Sequence, residues 1–219
     1  RRRGLGPRRE AAAARAGSPN GHEPYFFAVG RFIPKKNFDG LVRAFAEFRR
    51  QASHEEWRLV IGGDGPERAR IEAEITAAGL SESVVLPGYL DPEATARWLG
   101  RAAAFVMPSS REEQWGLVVN ESMAAGTPVI VSDICGCAPD LVTEGETGLL
   151  FSPARPDSLV AALTRLAASP DLRAQLADGA AQRIGHYSVE RFATQALAAA
   201  GAAVEHAQRR RWAPWWLLG

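Results

Sequence analysis

The sequence predicts an α/β protein, a Rossmann-like parallel sheet of about six strands with helices on both faces. Short apolar runs recur from Tyr25 onward, each closed by Gly, Pro, Ser or Asp. Stretches with helical apolar spacing alternate with them, and glycine-rich polar segments directly follow the runs. Strand and helix alternating at this rhythm favour parallel strands covered on both sides and joined by right-handed crossovers.

Taken in order, the strands are expected at 25–29, 57–61, 84–86, 103–107, 128–131 and 148–151. Leu41, Phe45 and Phe48 mark a helix after the first of them, and Leu159, Leu163 and Leu166 another after the last. Pro66 reads as the first residue of a helix. Beyond Ser188 a long alanine-rich helix is expected to about residue 208.

With 219 residues the chain can bury the core of one full α/β domain. A formal charge of +1 gives no field that would draw a nucleic acid. No apolar run approaches the length of a membrane span. The organisation expected is a disordered leader or fragment end over 1–23, a ligand-binding domain over 24–187, and a C-terminal helix with a Trp-rich tail over 188–219. The arginine-rich start is followed by no apolar segment that would serve a signal peptide. Cys135 and Cys137 lie too close together for an unstrained disulfide. They read as reduced thiols of a cytoplasmic protein. The four histidines show no metal-ligand spacing, and no metal is expected.

Ligands of such sheets bind at the carboxyl ends of the strands. The unusual residues of this chain fall there: 30–37 after the first strand, Gly62-Gly63-Asp64-Gly65-Pro66 after the second, Gly88-Tyr89-Leu90 after the third, and Pro108-Ser109-Ser110 with the Glu113 loop after the fourth. Lys35 and Lys36 are the only lysines among 26 basic residues, and they sit where an anion would be held. Lysine suits phosphate as a compact point charge, and Arg31 adds a forked contact. The turn at Gly63 is not a dinucleotide fingerprint, because Arg68 stands where a small third residue is required. Glu113 and Glu121 bracket Trp115-Gly116, giving a carboxylate on a loop, a glycine at a helix start and a second carboxylate in the first turns of that helix.

In this order the motifs resemble the donor-binding, C-terminal half of a GT-B glycosyltransferase of the retaining family 4 type. They are Gly30-Arg31 with Lys36, Gly63-Asp64-Gly65-Pro66, Pro108-Ser109, Glu113 with Glu121, Ala125-Gly126-Thr127-Pro128-Val129, and Gly145 through Leu150. The likeness runs from about Tyr25 to about Leu166. It implies that Arg31 and Lys36 hold the diphosphate of a UDP- or GDP-linked sugar without a metal or other cofactor. Glu121 would then accept from the ribose hydroxyls, and Glu113 would face the transferred sugar as the catalytic carboxylate. Gly116 and Leu117 would offer backbone amides, Gly63 would line the donor, and Leu90 would lie near the base. Two departures stand out: Gln114-Trp115 in place of the usual residues before Gly116, with an indole wide enough to change which sugar fits, and Cys135-Gly136-Cys137 with Asp140 where paired glycines and a glutamate are usual.

The resemblance further implies a glycan or lipid-linked acceptor, and a missing or separate N-terminal domain to grip it. The last helix and its Arg/Trp-rich end would pack on that partner. Peripheral contact with a membrane surface is the other functional reading of this tail. Two alternatives stay open: a nucleotide-sugar binding module without transfer of its own, and an epimerase of the same architecture.

Overall fold

The computed structural model describes residues 23–51, 54–111 and 113–211. The first 22 residues of the expected leader and the tryptophans of the tail lie outside these. Six strands form one parallel sheet: β1 (Tyr25–Val29), β2 (Arg58–Gly62), β3 (Val84–Gly88), β4 (Ala104–Met107), β5 (Val129–Ser132) and β6 (Leu149–Phe151). Each expected strand is present, the first with the same ends and the others with ends moved by at most two residues. Their order across the sheet is β3-β2-β1-β4-β5-β6, so the winding reverses between β1 and β4.

The helices are α1 (Phe38–Arg50), α2 (Arg68–Ala77), α3 (Pro92–Leu99), α4 (Leu117–Ala124), α5 (Ala138–Leu141), α6 (Pro156–Ala168), α7 (Pro170–Ile184) and α8 (Val189–Arg211). Alternate strand residues serve the two faces. Phe26, Ala28, Leu59, Ile61, Val106 and Ile130 meet Leu41, Phe45 and Phe48 of α1, Ile71 of α2, and Leu159 and Leu163 of α6. Phe27, Val60, Phe105, Met107, Val129 and Val131 meet Leu99 of α3, Val119 and Met123 of α4, Leu141 of α5 and Ala180 of α7. Burial on both faces is why the strands read as continuous apolar runs rather than as an alternation.

Pro66 does not open a helix. It lies in a turn, and α2 starts two residues later at Arg68, because the intervening segment is tied to the β1 loop. Phe32 N–H donates to the Asp64 carbonyl at 2.9 Å, and Glu67 N–H to the Phe32 carbonyl at 3.1 Å. Glu23, at the edge of the expected leader, pairs with Arg58 at 2.8 Å. The long last helix is present, follows a short 3-10 turn (Gly185–Tyr187), and is exposed over 189–208. Among the described residues no helix is long and apolar enough to cross a membrane.

Close approach of the β1 and β2 loops explains Gly63. Its N–H donates to the Gly88 carbonyl at 2.7 Å, its φ is +127°, and a Cβ there would sit 1.9 Å from the Gly30 carbonyl oxygen. No side chain fits without separating the loops. Gly63→Ala should therefore cost at least ~3 kcal/mol of stability, combining backbone strain with the forced displacement. Urea denaturation checks this, and a loss under ~1 kcal/mol would show that the loops part freely.

Candidate functional site

Because β1 and β4 are neighbours whose following loops turn to opposite sides, a crevice opens between those loops. The β1 loop carries Arg31 and then a single 3-10 turn, Pro34–Lys36. The β4 loop carries Ser109 and Glu113 and ends at Gly116, whose φ of +95° lets the chain enter α4. Lys36 Nζ donates to Glu113 Oε2 at 2.6 Å, and Lys35 Nζ reaches Oε1 at 3.5 Å. The Lys36 and Glu113 side chains are 15% and 13% exposed, so the pair is largely withdrawn from water. Ser109, fully buried, places its hydroxyl 3.5 Å from the same carboxylate oxygen. The resemblance assigned a contact to Lys36 but none to Lys35 or Ser109. In the structure both turn toward Glu113.

Two opposed effects act on this carboxyl. Burial raises its pKa, but the hydrogen bond and charge of Lys36, with Lys35 behind, outweigh burial and hold it below the ordinary glutamate value. A second segment fixes the loop from beneath. Gly136 N–H donates to the Glu113 carbonyl at 2.8 Å and Cys137 N–H to the Trp115 carbonyl at 3.3 Å. A Cβ on Gly136 would lie 2.0 Å from the Gln114 carbonyl oxygen, so the Cys-Gly-Cys segment keeps the one glycine this contact requires.

Both cysteines are free and buried. Burial, with the nearby Glu113 charge adding to it, pushes the Cys135 thiol up to about 11, and burial beside Cys135 pushes Cys137 up to about 12. They are protonated packing groups at neutral pH.

The remaining expected residues are spread around this centre. Arg31 is exposed, and among the described residues it makes no ion pair. Glu121 is exposed on α4, and its carboxylate likewise has no hydrogen-bond partner among them. Leu117 presents its side chain to solvent at the helix start. Leu90 turns inward against Gly62, whereas Tyr89 beside it is 81% exposed, so the aromatic surface at the end of β3 belongs to Tyr89. Trp115 does not project as a free indole: its Nε1–H donates to Asn120 Oδ1 at 2.8 Å and its ring leans toward Tyr187. Asp140 contributes its carbonyl, which accepts from Arg183 Nε at 2.7 Å and Tyr187 Oη at 3.0 Å.

A groove of about 780 Å³ between α1 and α6 reaches this crevice only at its rim, through Asn37 and Ser110. Its arginines are already paired, Arg43 with Asp39 and Glu74, Arg50 with Glu47, and Arg165 with Glu144. Its walls are otherwise largely apolar, and it offers a diphosphate little. In the crevice at the switch point two ammonium groups share a single carboxylate and Arg31 makes no ion pair among the described residues, so positive charge is in excess there and it is the better anion site.

Comparison with known proteins identifies the family. Residues 11–183 match the family described as glycosyl transferases group 1. The chain belongs to this family. A D-inositol 3-phosphate glycosyltransferase of Nocardioides sp. is 33% identical over 202 residues, covering 86% of this chain and 43% of that protein. An exopolysaccharide phosphotransferase of Streptomyces coelicolor is 38% identical over 136 residues, covering 62% of this chain but 14% of the other. The chain thus spans less than half the length of these relatives. Among solved structures, Anabaena HepE in complex with UDP and glucose superposes with a TM-score of 0.74 at 19% identity, over 90% of this chain and 53% of that one. That is a likeness of fold, and it agrees with the six-stranded parallel α/β sheet seen here.

Two outcomes follow from the site's ionisation. A group whose folded-state pKa is depressed stabilises the fold above its ordinary value and loses that contribution as pH falls through the folded value. The stability difference between the wild type and Glu113→Gln should hold constant from neutral pH to mildly acid and close only below the ordinary glutamate range, as followed by urea melts. The native thiols should not react with Ellman's reagent at pH 8, and both should react after denaturation. Rapid native reaction would place them outside the core.

Proposed function

We propose that this chain is the donor-binding half of a retaining glycosyltransferase that takes a UDP- or GDP-linked sugar in the crevice between the β1 and β4 loops. The observation that carries the reading is the Lys36–Glu113 pair at 2.6 Å, placed at the winding reversal of a group 1 domain. Lys36, with Arg31 from the same loop, neutralises the diphosphate and stabilises it as a leaving group, which is the role a divalent ion plays in other transferases. Backbone amides at Gly116 and Leu117 add the positive end of α4. Glu113 receives the sugar hydroxyls and lies beside the positive charge that grows at the anomeric carbon. Glu121 accepts from the ribose, and the β3 end with Tyr89 and Leu90 borders the base.

Bond breaking and bond making on one sugar face, assisted by the departing phosphate, retain configuration without a covalent enzyme intermediate. The acceptor is a glycan or lipid-linked hydroxyl held by a separate domain, since closure of two halves supplies proximity and removes water. The same crevice would also serve a second reading, a nucleotide-sugar binding module with no transfer of its own. Incubation with labelled UDP- and GDP-sugars, with and without a co-expressed acceptor domain, separates the two.

Calorimetry with UDP and GDP tests the site. A charged hydrogen bond to phosphate is worth roughly 1.5–3 kcal/mol, so Lys36→Ala should weaken binding on the order of ten- to a hundredfold. Lys35→Ala should change it far less, and equal losses would remove Lys36 from its assigned place. Glu113→Gln should leave nucleoside diphosphate affinity undiminished while impairing sugar transfer.

A further inference from the structure

An asparagine directly before a helix ordinarily accepts a hydrogen bond from the first turn through its side chain. Asn37 precedes α1 and does not. Its φ and ψ are 53° and 38°, the left-handed region, and no N–H of α1 binds its side chain. It is the one non-glycine residue with positive φ among those described. The amide is used elsewhere: Asn37 Nδ2 donates to the Pro108 carbonyl at 3.1 Å, across the crevice on the β4 loop. Alongside it, Ser110 N–H donates to the Lys35 carbonyl at 3.0 Å. These two bonds flank Lys36 and join the loop that carries it to the loop that carries Glu113.

Gly40 completes the arrangement. A Cβ at Gly40 would lie 2.3 Å from Asn37 Oδ1 and 2.7 Å from its Nδ2, so the amide occupies the space that a side chain on α1 would fill. A glycine inside a helix gives up helix propensity, and here the missing methyl makes room for a bond leading out of the helix. Left-handed backbone, an unused cap and a vacated helix position all serve one contact.

We propose that Asn37 is a positioning residue which, through Gly40 and the Pro108 carbonyl, fixes the Lys36 ammonium over the crevice where the donor diphosphate binds. This rests on the nucleotide-sugar reading of the site. Asn37 touches neither donor nor sugar; it acts through Lys36.

The test compares Asn37→Gly, Lys36→Ala and the double variant by calorimetry with UDP and with GDP. A parallel ¹³C titration follows the Glu113 carboxyl in ligand-free protein. Glycine adopts the left-handed conformation freely, so Asn37→Gly removes the amide while keeping the backbone, and its melting temperature should stay within about 2 °C of wild type. Its nucleoside diphosphate affinity should fall about fivefold, as for one lost neutral hydrogen bond. That loss should vanish in the Lys36→Ala background, and the Glu113 titration should move up toward the ordinary glutamate value as Lys36 loosens.

Gly40→Ala keeps Asn37 but fills the space of its amide, and it should reproduce both shifts should Asn37→Gly fold poorly. Wild-type affinity in Asn37→Gly, a loss that adds in full to that of Lys36→Ala, or an unmoved Glu113 titration would each overturn the assignment. Should the wild type bind neither UDP nor GDP, the donor reading fails, whereas the ligand-free titration still decides whether Asn37 positions Lys36.

Discussion

The site depends on one constraint of topology: β1 and β4 are neighbours in the sheet although β2 and β3 separate them in the chain. Parallel strands bring their carboxyl ends to the same edge, and the reversal of winding sends the two following loops apart at that edge. Lys36 and Glu113, 77 residues apart in sequence, therefore meet at 2.6 Å. Everything placed around them serves to hold two loops, not two side chains, in register.

That support comes from both sides. The buried Ser109 hydroxyl and the Cys135–Cys137 segment lie beneath the carboxylate, and Gly136 can make its contact only because it has no Cβ. On the other side the left-handed Asn37 ties the lysine turn to Pro108. A carboxylate withdrawn from water is costly unless paired, and Lys36 supplies the pairing that keeps Glu113 ionised. A donor diphosphate entering the crevice offers Lys36 a second anion, so ligand-free and ligand-bound states share one cation.

The sheet was legible in the sequence because parallel strands buried on both faces must be apolar throughout, and glycine, proline or serine must end them. Phe26 and Phe27 serve opposite faces yet look alike in sequence for that reason. Glu113, Lys36 and Gly116 were legible as a set of unusual residues in ordered loops. What could not be read was the direction in which loop residues spend their hydrogen bonds. Pro66 resembled a helix start but is held in a turn by backbone bonds to Phe32, residues that no local pattern connects to it. Trp115 resembled a pocket wall, while its indole N–H is committed to Asn120. Asn37 had the chemistry of a helix cap and the geometry of a bridge, and its left-handed backbone and bond to the Pro108 carbonyl distinguish the two.

The account is tested most directly by the structure of this protein crystallised with a UDP- or GDP-linked sugar. It predicts diphosphate oxygens within hydrogen-bond distance of Lys36 Nζ and the Arg31 guanidinium, sugar hydroxyls on Glu113 and ribose hydroxyls on Glu121. A donor seated in the groove between α1 and α6, or elsewhere with the Lys36–Glu113 pair untouched, would contradict it.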